Sequence, residues 1–259
     1  MTHFLADTLW TARGSGPLLP RSALAGIAGL DEAYLIQQQL AAMDPGPVAA
    51  WKIGATSPAA LAAIGLDEPF FAPVKRPNMH LGAAVMAVRA AHAPLLETEF
   101  AVCMGRDLPA RGTPYGRDDI ALATASVHAA FEVVATRFEG GVAQSGLLAI
   151  ADGGVNQAVV IGPEIPCGDP LSFDRIDVTL ELAGVETARG TAAGLLWPHI
   201  FDAVAWLANH PRLPPRSLAK GDFILTGTCT GVTPLRPALA ARGRFGSGAV
   251  VEAEFIAAA

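Results

Sequence analysis

The chain has 259 residues, 51% of them hydrophobic, with 18 basic against 24 acidic side chains and a formal charge of −6. The acidic balance and the lack of any basic cluster argue against nucleic acid as a partner, and no run of ~18 uninterrupted apolar residues is present to cross a membrane. At this length roughly 70–75% of the unfolded surface can be buried, so the fold needs no staples. Cys103, Cys167 and Cys229 are isolated and odd in number, and they read as small buried hydrophobes, not as a disulfide framework or a zinc cluster.

In chain order, Met1 to Asp7 lacks the basic start and apolar core of a signal peptide, which makes the cytoplasm the expected compartment. Pro17, Pro20, Gly26 and Gly29 predict an irregular entry into a helix that Asp31 caps. Its apolar stripe is Ala33, Leu35, Ile36, Leu40 and Met43, and it stops at Asp44-Pro45-Gly46. Residues 48–58 then read as a strand with Lys52, one of only three lysines, among small and apolar neighbours. Such a lysine either snorkels from a half-exposed strand or, if buried, loses solvation, lowers its pKa and handles protons. A short helix over 58–65 and a loop over 69–79, crowded with Pro69, Phe70, Phe71, Pro73 and Pro77, follow.

Residues 95–104 alternate as a strand, which puts Glu97 and Glu99 on one face with Leu95, Ala101 and Cys103. Two carboxylates aimed the same way from an apolar strand repel unless a positive partner sits between them, and a hard divalent cation is the simplest one. A polar edge strand facing water is the alternative. After a turn at 105–109, a long apolar helix is predicted from Asp118 to Phe138, with His128 and Glu132 one turn apart. In a helix this apolar, Glu132 must be protonated, paired or metal-bound. Metal is the reading that joins it to Glu97 and Glu99, while His128 reads as structural. Residues 151–163 form a glycine turn entering a strand, where Asp152 and Asn156 are pocket residues or ordinary turn formers. Strands over 174–183 and 185–190, a helix over 198–209, a strand leading into the Thr/Gly loop at 226–231, and a last strand over 245–255 complete the prediction. The Thr/Gly loop offers hydroxyls and N–H groups to a carboxylate. No dinucleotide-binding glycine fingerprint, phosphate-binding Walker loop, nucleophile elbow or His-Glu-x-x-His is present.

Asp31-Glu-Ala-Tyr-Leu-Ile-Gln37, Lys52-Ile-Gly-Ala-Thr-Ser-Pro58, Glu97-Thr-Glu99, Glu132, Ala203-Val-Ala-Trp-Leu-Ala-Asn209 and Gly221-Asp-Phe-Ile-Leu-Thr-Gly227 occur in this order. Together they resemble the 2-keto-4-pentenoate hydratase and 4-oxalocrotonate decarboxylase branch of the fumarylacetoacetate hydrolase superfamily, over about residues 20–255. The resemblance implies an α+β, predominantly β fold: a mixed-strand, barrel-like roll with an N-terminal helical cap. The chain is expected to divide into an N-terminal α+β cap region, 1–80, and a catalytic core, 81–259, or to form one continuous domain. The resemblance implies Mg²⁺ or Mn²⁺ on Glu97, Glu99 and Glu132, with Lys52 as the proton-handling residue. Ser57, Asp152, Asn156 and Thr228 are the candidates for substrate contact. The implied activity is hydration of a 2-hydroxyalka-2,4-dienoate in aromatic catabolism. A 2-oxo acid decarboxylase or a C–C hydrolase of the same superfamily is the alternative, and a non-catalytic partner subunit is an alternative of another class. A homo-oligomer, or a hetero-complex with a pathway enzyme, is the implied assembly. Asn78 stands where hydratases carry an acidic residue before Met, residues 238–242 replace a Gly-Asp turn, and Leu195-Leu-Trp-Pro-His-Ile replaces a Gly-His-Pro run.

Overall fold

Strands dominate the computed structural model, which describes residues 2–14, 17–24, 26–166, 169–214 and 218–258. Cys167 lies outside these residues. The first third of the chain contributes α1 (Thr2–Gly14), α2 (Leu30–Met43), β1 (Val48–Gly54), α3 (Pro58–Ile64), β2 (Phe70–Lys75), β3 (Met79–Leu81) and β4 (Ala84–Val88). The middle contributes β5 (Leu95–Met104), α4 (Arg117–Ala123), β6 (Thr124–Val134), α5 (Gly146–Ala151), β7 (Asn156–Glu164), β8 (Val178–Leu182) and β9 (Val185–Gly190). The remainder is α6 (Ile200–Ala208), β10 (Phe223–Thr228), β11 (Thr233–Pro234), β12 (Leu239–Phe245) and β13 (Ala249–Ala257).

One sheet runs β2-β1-β10-β5-β6-β7-β3, with β11 on β5, and a second runs β4-β13-β12-β8-β9. Both are mixed: β1 with β10, β3 with β7 and β13 with β4 are parallel, and the other pairs are antiparallel. The first sheet curls until its ends approach. Val74 of β2, Met79 of β3 and Val159 and Ile161 of β7 share an inner cluster with Ala50, Ala101, Ala130 and Leu225. The second sheet packs on the outer face, where Phe100 of β5 meets Phe245 of β12 edge to face at 5.0 Å. Gly243 allows this approach, because a Cβ there would stand 2.9 Å from the Phe131 ring. Alternation along β5 therefore sends Phe100 to the inter-sheet core and Glu97 and Glu99 to the inside of the roll. The three strands from the first 80 residues are hydrogen-bonded into the same sheet as those that follow. Helices α1, α2 and α5 pack together, and α2 and α5 lie against β2.

Several elements differ from the sequence prediction. The long helix over 118–138 is a two-turn helix followed by the eleven-residue strand β6. Thr124, Val127, Val133 and Val134 are β-branched and Phe131 is aromatic, so the stretch fits a pleated sheet better than a helix. Its start is capped at Gly116, with Asp119 accepting the Gly116 N–H, and not by Asp118. The proline-rich loop is largely β2, an edge strand, where Pro73 deprives the ladder of no hydrogen bond. Helix α2 starts from Gly29, and its buried face is Ala33, Tyr34, Ile36, Gln37 and Leu40, leaving Leu35 exposed. Asp31 sits in its first turn and pairs with Arg212. Residues 170–175 are a 3₁₀ turn before the shorter strand β8. The last strand begins at Ala249, after a turn from β12, and β12 contains the residues 239–242 read as a replaced turn. Helix α1 and strand β4 were not anticipated, because neither has a clear period in sequence.

Candidate metal centre

Four neighbouring strands of the curled sheet supply the candidate site. Glu97 and Glu99 come from β5, and Glu132 stands directly opposite Glu97 on β6 in the antiparallel register. Cross-strand partners project to the same face, so this register brings the three carboxylates together. One oxygen from each lies within 4.8 Å of the others. That compares with about 4.2 Å between opposite oxygens of an octahedral Mg²⁺ shell with bonds near 2.1 Å. Lys52 of β1 closes the group, its Nζ 3.2 Å from Glu132 Oε1 and 4.9 Å from the centre of the Phe70 ring. The predicted convergence of Glu132 survives the change from helix to strand because the antiparallel register sets it directly opposite Glu97.

Burial is nearly complete: Glu99 and Glu132 are 0% exposed and Lys52 is 3% exposed, while Glu97 is half-buried. Glu132 Oε1 takes Lys52 and the Asn156 side-chain amide, which donates at 2.9 Å. Glu99 Oε2 accepts the Gly227 N–H at 2.7 Å. The remaining oxygens, Glu99 Oε1 and Glu132 Oε2, are buried with no partner. A buried carboxylate oxygen without a donor is costly, and two that converge beside a third acid fit a hard cation. Charge agrees, because one ammonium and one dication balance three carboxylates.

Without an ion Glu97 and Glu99 resist ionisation. Burial, then Glu132, pushes Glu97 up to about 7. Burial, then Glu132 and Glu97, holds Glu99 well above the usual carboxylate range. Burial works against the charge on Lys52, but Glu132, Glu97 and Glu99 overcome it and leave its pKa raised, opposite to the expectation from burial alone. Metal-free folded protein thus keeps protons between pH ~4.5 and ~7 that the unfolded chain has released, so its stability falls as pH rises through that window. In EDTA the Tm is expected to drop from pH 5 to pH 8. The Tm gain from added Mn²⁺ should grow over the same interval, since the ion needs ionised ligands. Differential scanning fluorimetry checks both trends, and a metal-independent, flat profile would contradict the ligand set.

Local backbone serves this geometry. The β10–β5 register shifts between Leu225 and Thr228, and the bulge aims the Gly227 N–H at Glu99. Gly227 has φ +106°, and a Cβ there would stand 2.1 Å from Thr56 Oγ1. The Thr56 carbonyl accepts the Leu196 N–H at 2.8 Å, which docks the 195–199 segment beside β1. His199 in that segment caps α6. Among the other candidates, Ser57 Oγ accepts the Ala60 N–H as the cap of α3. Asp152 is fully buried against Arg137 and Arg13. Thr228 Oγ1 donates to the Gly231 carbonyl at 2.8 Å, and Thr230 Oγ1 in the same loop is buried without a partner. His128 bonds the Gly162 carbonyl and Ser126. Asn78 donates to Asp44 and lines a cavity of about 450 Å³ that includes neither Lys52 nor the three carboxylates. Burial raises the thiols of Cys103 and Cys229, so neither is a ready thiolate. Arg13 and Arg137 escaped the sequence reading. Arg137 carried the same signal as Glu132, a charge inside an apolar stretch.

Residues 50–258 match the model of the fumarylacetoacetate (FAA) hydrolase C-terminal domain. The 2-keto-4-pentenoate hydratase of Burkholderia vietnamiensis is 30% identical over 198 residues, covering 75% of this chain and 74% of that protein. The TodF product hydratase of Pseudomonas putida is 27% identical over 238 residues, 89% of this chain and 86% of its own length. In fold, the chain superposes on 4-oxalocrotonate decarboxylase from Pseudomonas putida G7, complexed with magnesium and adipate, with a TM-score of 0.85. The identity is 22%, with 98% of this chain and 97% of the other covered. Fumarylpyruvate hydrolase from Pseudomonas aeruginosa, in complex with Mn²⁺ and pyruvate, shares the fold at a TM-score of 0.61 and 17% identity, covering 82% and 91%. A matched segment this long, together with the acid cluster inside a curled mixed sheet, shows that this chain belongs to the fumarylacetoacetate hydrolase family.

Proposed function

We propose that the chain is a divalent-metal-dependent hydro-lyase that adds water to a 2-hydroxyalka-2,4-dienoate and yields a 4-hydroxy-2-oxo acid. The observation that carries this reading is the buried convergence of Glu97, Glu99 and Glu132 with Lys52. Glu97, Glu99 and Glu132 would hold Mg²⁺ or Mn²⁺, which supplies Lewis-acid polarisation of the substrate's carboxylate and its C2 oxygen. Lys52 holds a proton at Nζ inside a buried, acid-lined site, from which it can protonate the carbon chain during ketonisation, the resulting amine then taking up the proton of the 2-hydroxyl so that the ammonium is restored. Water then adds as hydroxyl at C4 and proton at C3, so the net change is one water. Thr228, with the adjoining Thr230 hydroxyl, orients the substrate carboxylate from the loop after β10. Phe70 and Gly154 wall in the Lys52 stem and keep bulk water from it. The names of the hydratase relatives support the substrate class.

Self-association belongs to the same reading, supported by exposed Val85 and Ile256 on the outer face of the second sheet. Among the described residues no helix is long and apolar enough to cross a membrane. The decisive assay follows ultraviolet absorbance of 2-hydroxypenta-2,4-dienoate and, in parallel, 2-oxohex-3-enedioate, each with Mg²⁺ and with EDTA. Metal-dependent loss of the dienoate with formation of 4-hydroxy-2-oxopentanoate is expected. Turnover of the dicarboxylate alone, with release of carbon dioxide, would reassign the chain to decarboxylation. Metal binding without turnover of either would leave a non-catalytic subunit.

A further inference from the structure

Behind the carboxylates, and linked to them through Asn156, lies a second set of charged groups. Arg137 Nε sits 2.9 Å from Asp152 Oδ1 and 2.7 Å from Oδ2, and its Nη2 donates to the Asp152 carbonyl at 3.0 Å. Arg13, from α1, donates through Nη2 to the same carbonyl and through Nη1 to the Asn156 carbonyl at 3.1 Å. Its Nε lies 3.3 Å from Asp152 Oδ1. Arg137 therefore grips the Asp152 end of the segment 152–156, and Arg13, 143 residues from Asn156, grips both ends.

The gripped segment is an unusual piece of backbone. Gly153, Gly154 and Val155 are consecutive residues with φ of 60°, 67° and 51°. A β-branched residue in the left-handed region persists only where its surroundings over-determine it. The turn also makes close contacts. A Cβ at Gly153 would stand 2.7 Å from Arg13 Nη2, and one at Gly154 would stand 2.9 Å from Lys52 Cε. Asn156 leaves this turn with its amide against Glu132 Oε1 at 2.9 Å, and only the NH₂ end of an amide can face a carboxylate oxygen. With Lys52 and Asn156 both on Oε1, the unpartnered Oε2 is the oxygen left for the ion.

We propose that Asn156 is a positioning residue that sets which oxygen of Glu132 faces the metal, and that Arg13 of α1, with Arg137 and Asp152, holds Asn156 in place. This rests on the metal-site reading above. It makes the first helix, which precedes the matched family segment, a working part of the centre. Outer partners of metal ligands typically contribute 10–100-fold in metal affinity.

The test is Mn²⁺ affinity by calorimetry at fixed pH on full-length protein, with the Tm in EDTA recording folding. Asn156→Ala is expected to weaken Mn²⁺ by 10–100-fold and Arg13→Ala by about tenfold. Arg13→Lys should not restore it, since one ammonium lacks the planar fork that spans two carbonyls. Glu99→Gln serves as the ligand control. Wild-type affinity in folded Asn156→Ala overturns the inference while leaving the metal site standing. If that variant does not fold, Arg13→Ala decides, because Arg13 is half-buried on a helix surface, and wild-type affinity there overturns it. A folded wild-type chain that binds no Mn²⁺ removes the metal-site reading and this inference with it.

Discussion

Glu99→Gln is expected to abolish Mn²⁺ binding and, with it, metal-dependent turnover. The substitution preserves shape, so the effect reads charge and donor type. Glu99 Oε2 accepts the Gly227 N–H at 2.7 Å, and this donor will select the amide oxygen of a glutamine. The NH₂ group must then occupy the place of Oε1, where it meets the ion with hydrogens. Because outer partners alone are worth 10–100-fold, loss of a ligand should exceed ~100-fold in Mn²⁺ affinity. Stability moves the other way. Burial, Glu132 and Glu97 all disfavour an ionised Glu99, so a neutral isostere relieves the metal-free cluster. The Tm in EDTA should stay level or rise while the Mn²⁺-induced gain disappears. Retained Mn²⁺ affinity in a folded Glu99→Gln protein would remove Glu99 from the centre.

Lys52→Met separates proton handling from metal binding. Methionine matches the length of the lysine stem and leaves the wall formed by Phe70 and Gly154 in place, but it carries no proton. Turnover of the dienoate should fall by about 10²–10⁴, the range general acid–base groups contribute, while Mn²⁺ still binds. The variant also removes the ammonium that sits among the three carboxylates. Breaking a buried pair costs about 3–5 kcal/mol when the remaining charge cannot escape. Here Glu97 and Glu99 can protonate, so the destabilisation in EDTA should be small at pH 5, larger at pH 8, and offset by Mn²⁺. Lys52→Arg should not recover activity, since a guanidinium keeps its proton. Turnover at the wild-type rate in Lys52→Met would assign the proton transfer to another group.

Alternation along β5 was enough to place Glu97 and Glu99 together on one face and Phe100 on the other. Glu132 stood out as a charge in an apolar stretch that must be buried, and Lys52 as one that either snorkels or is buried; the structure buries both. That much follows from side-chain chemistry and the period of a strand, and it holds for Glu132 although residues 124–134 form a strand and not a helix. An apolar run without a clear period does not separate the two elements, which is why the element carrying Glu132 was misread.

Contacts between distant residues were not legible. The register that sets Glu97 opposite Glu132, and the bulge that turns the Gly227 N–H toward Glu99, depend on how strands align. Alignment is settled by packing over both faces of the sheet and not by any local residue. Arg13 reaching Asn156 across 143 positions likewise exists only once α1 has docked. The chain alone thus determined which charged groups would need buried partners, because burying a charge demands a partner whatever the topology. The tertiary structure decided which oxygen meets which donor, because those distances are set by strand register and helix docking.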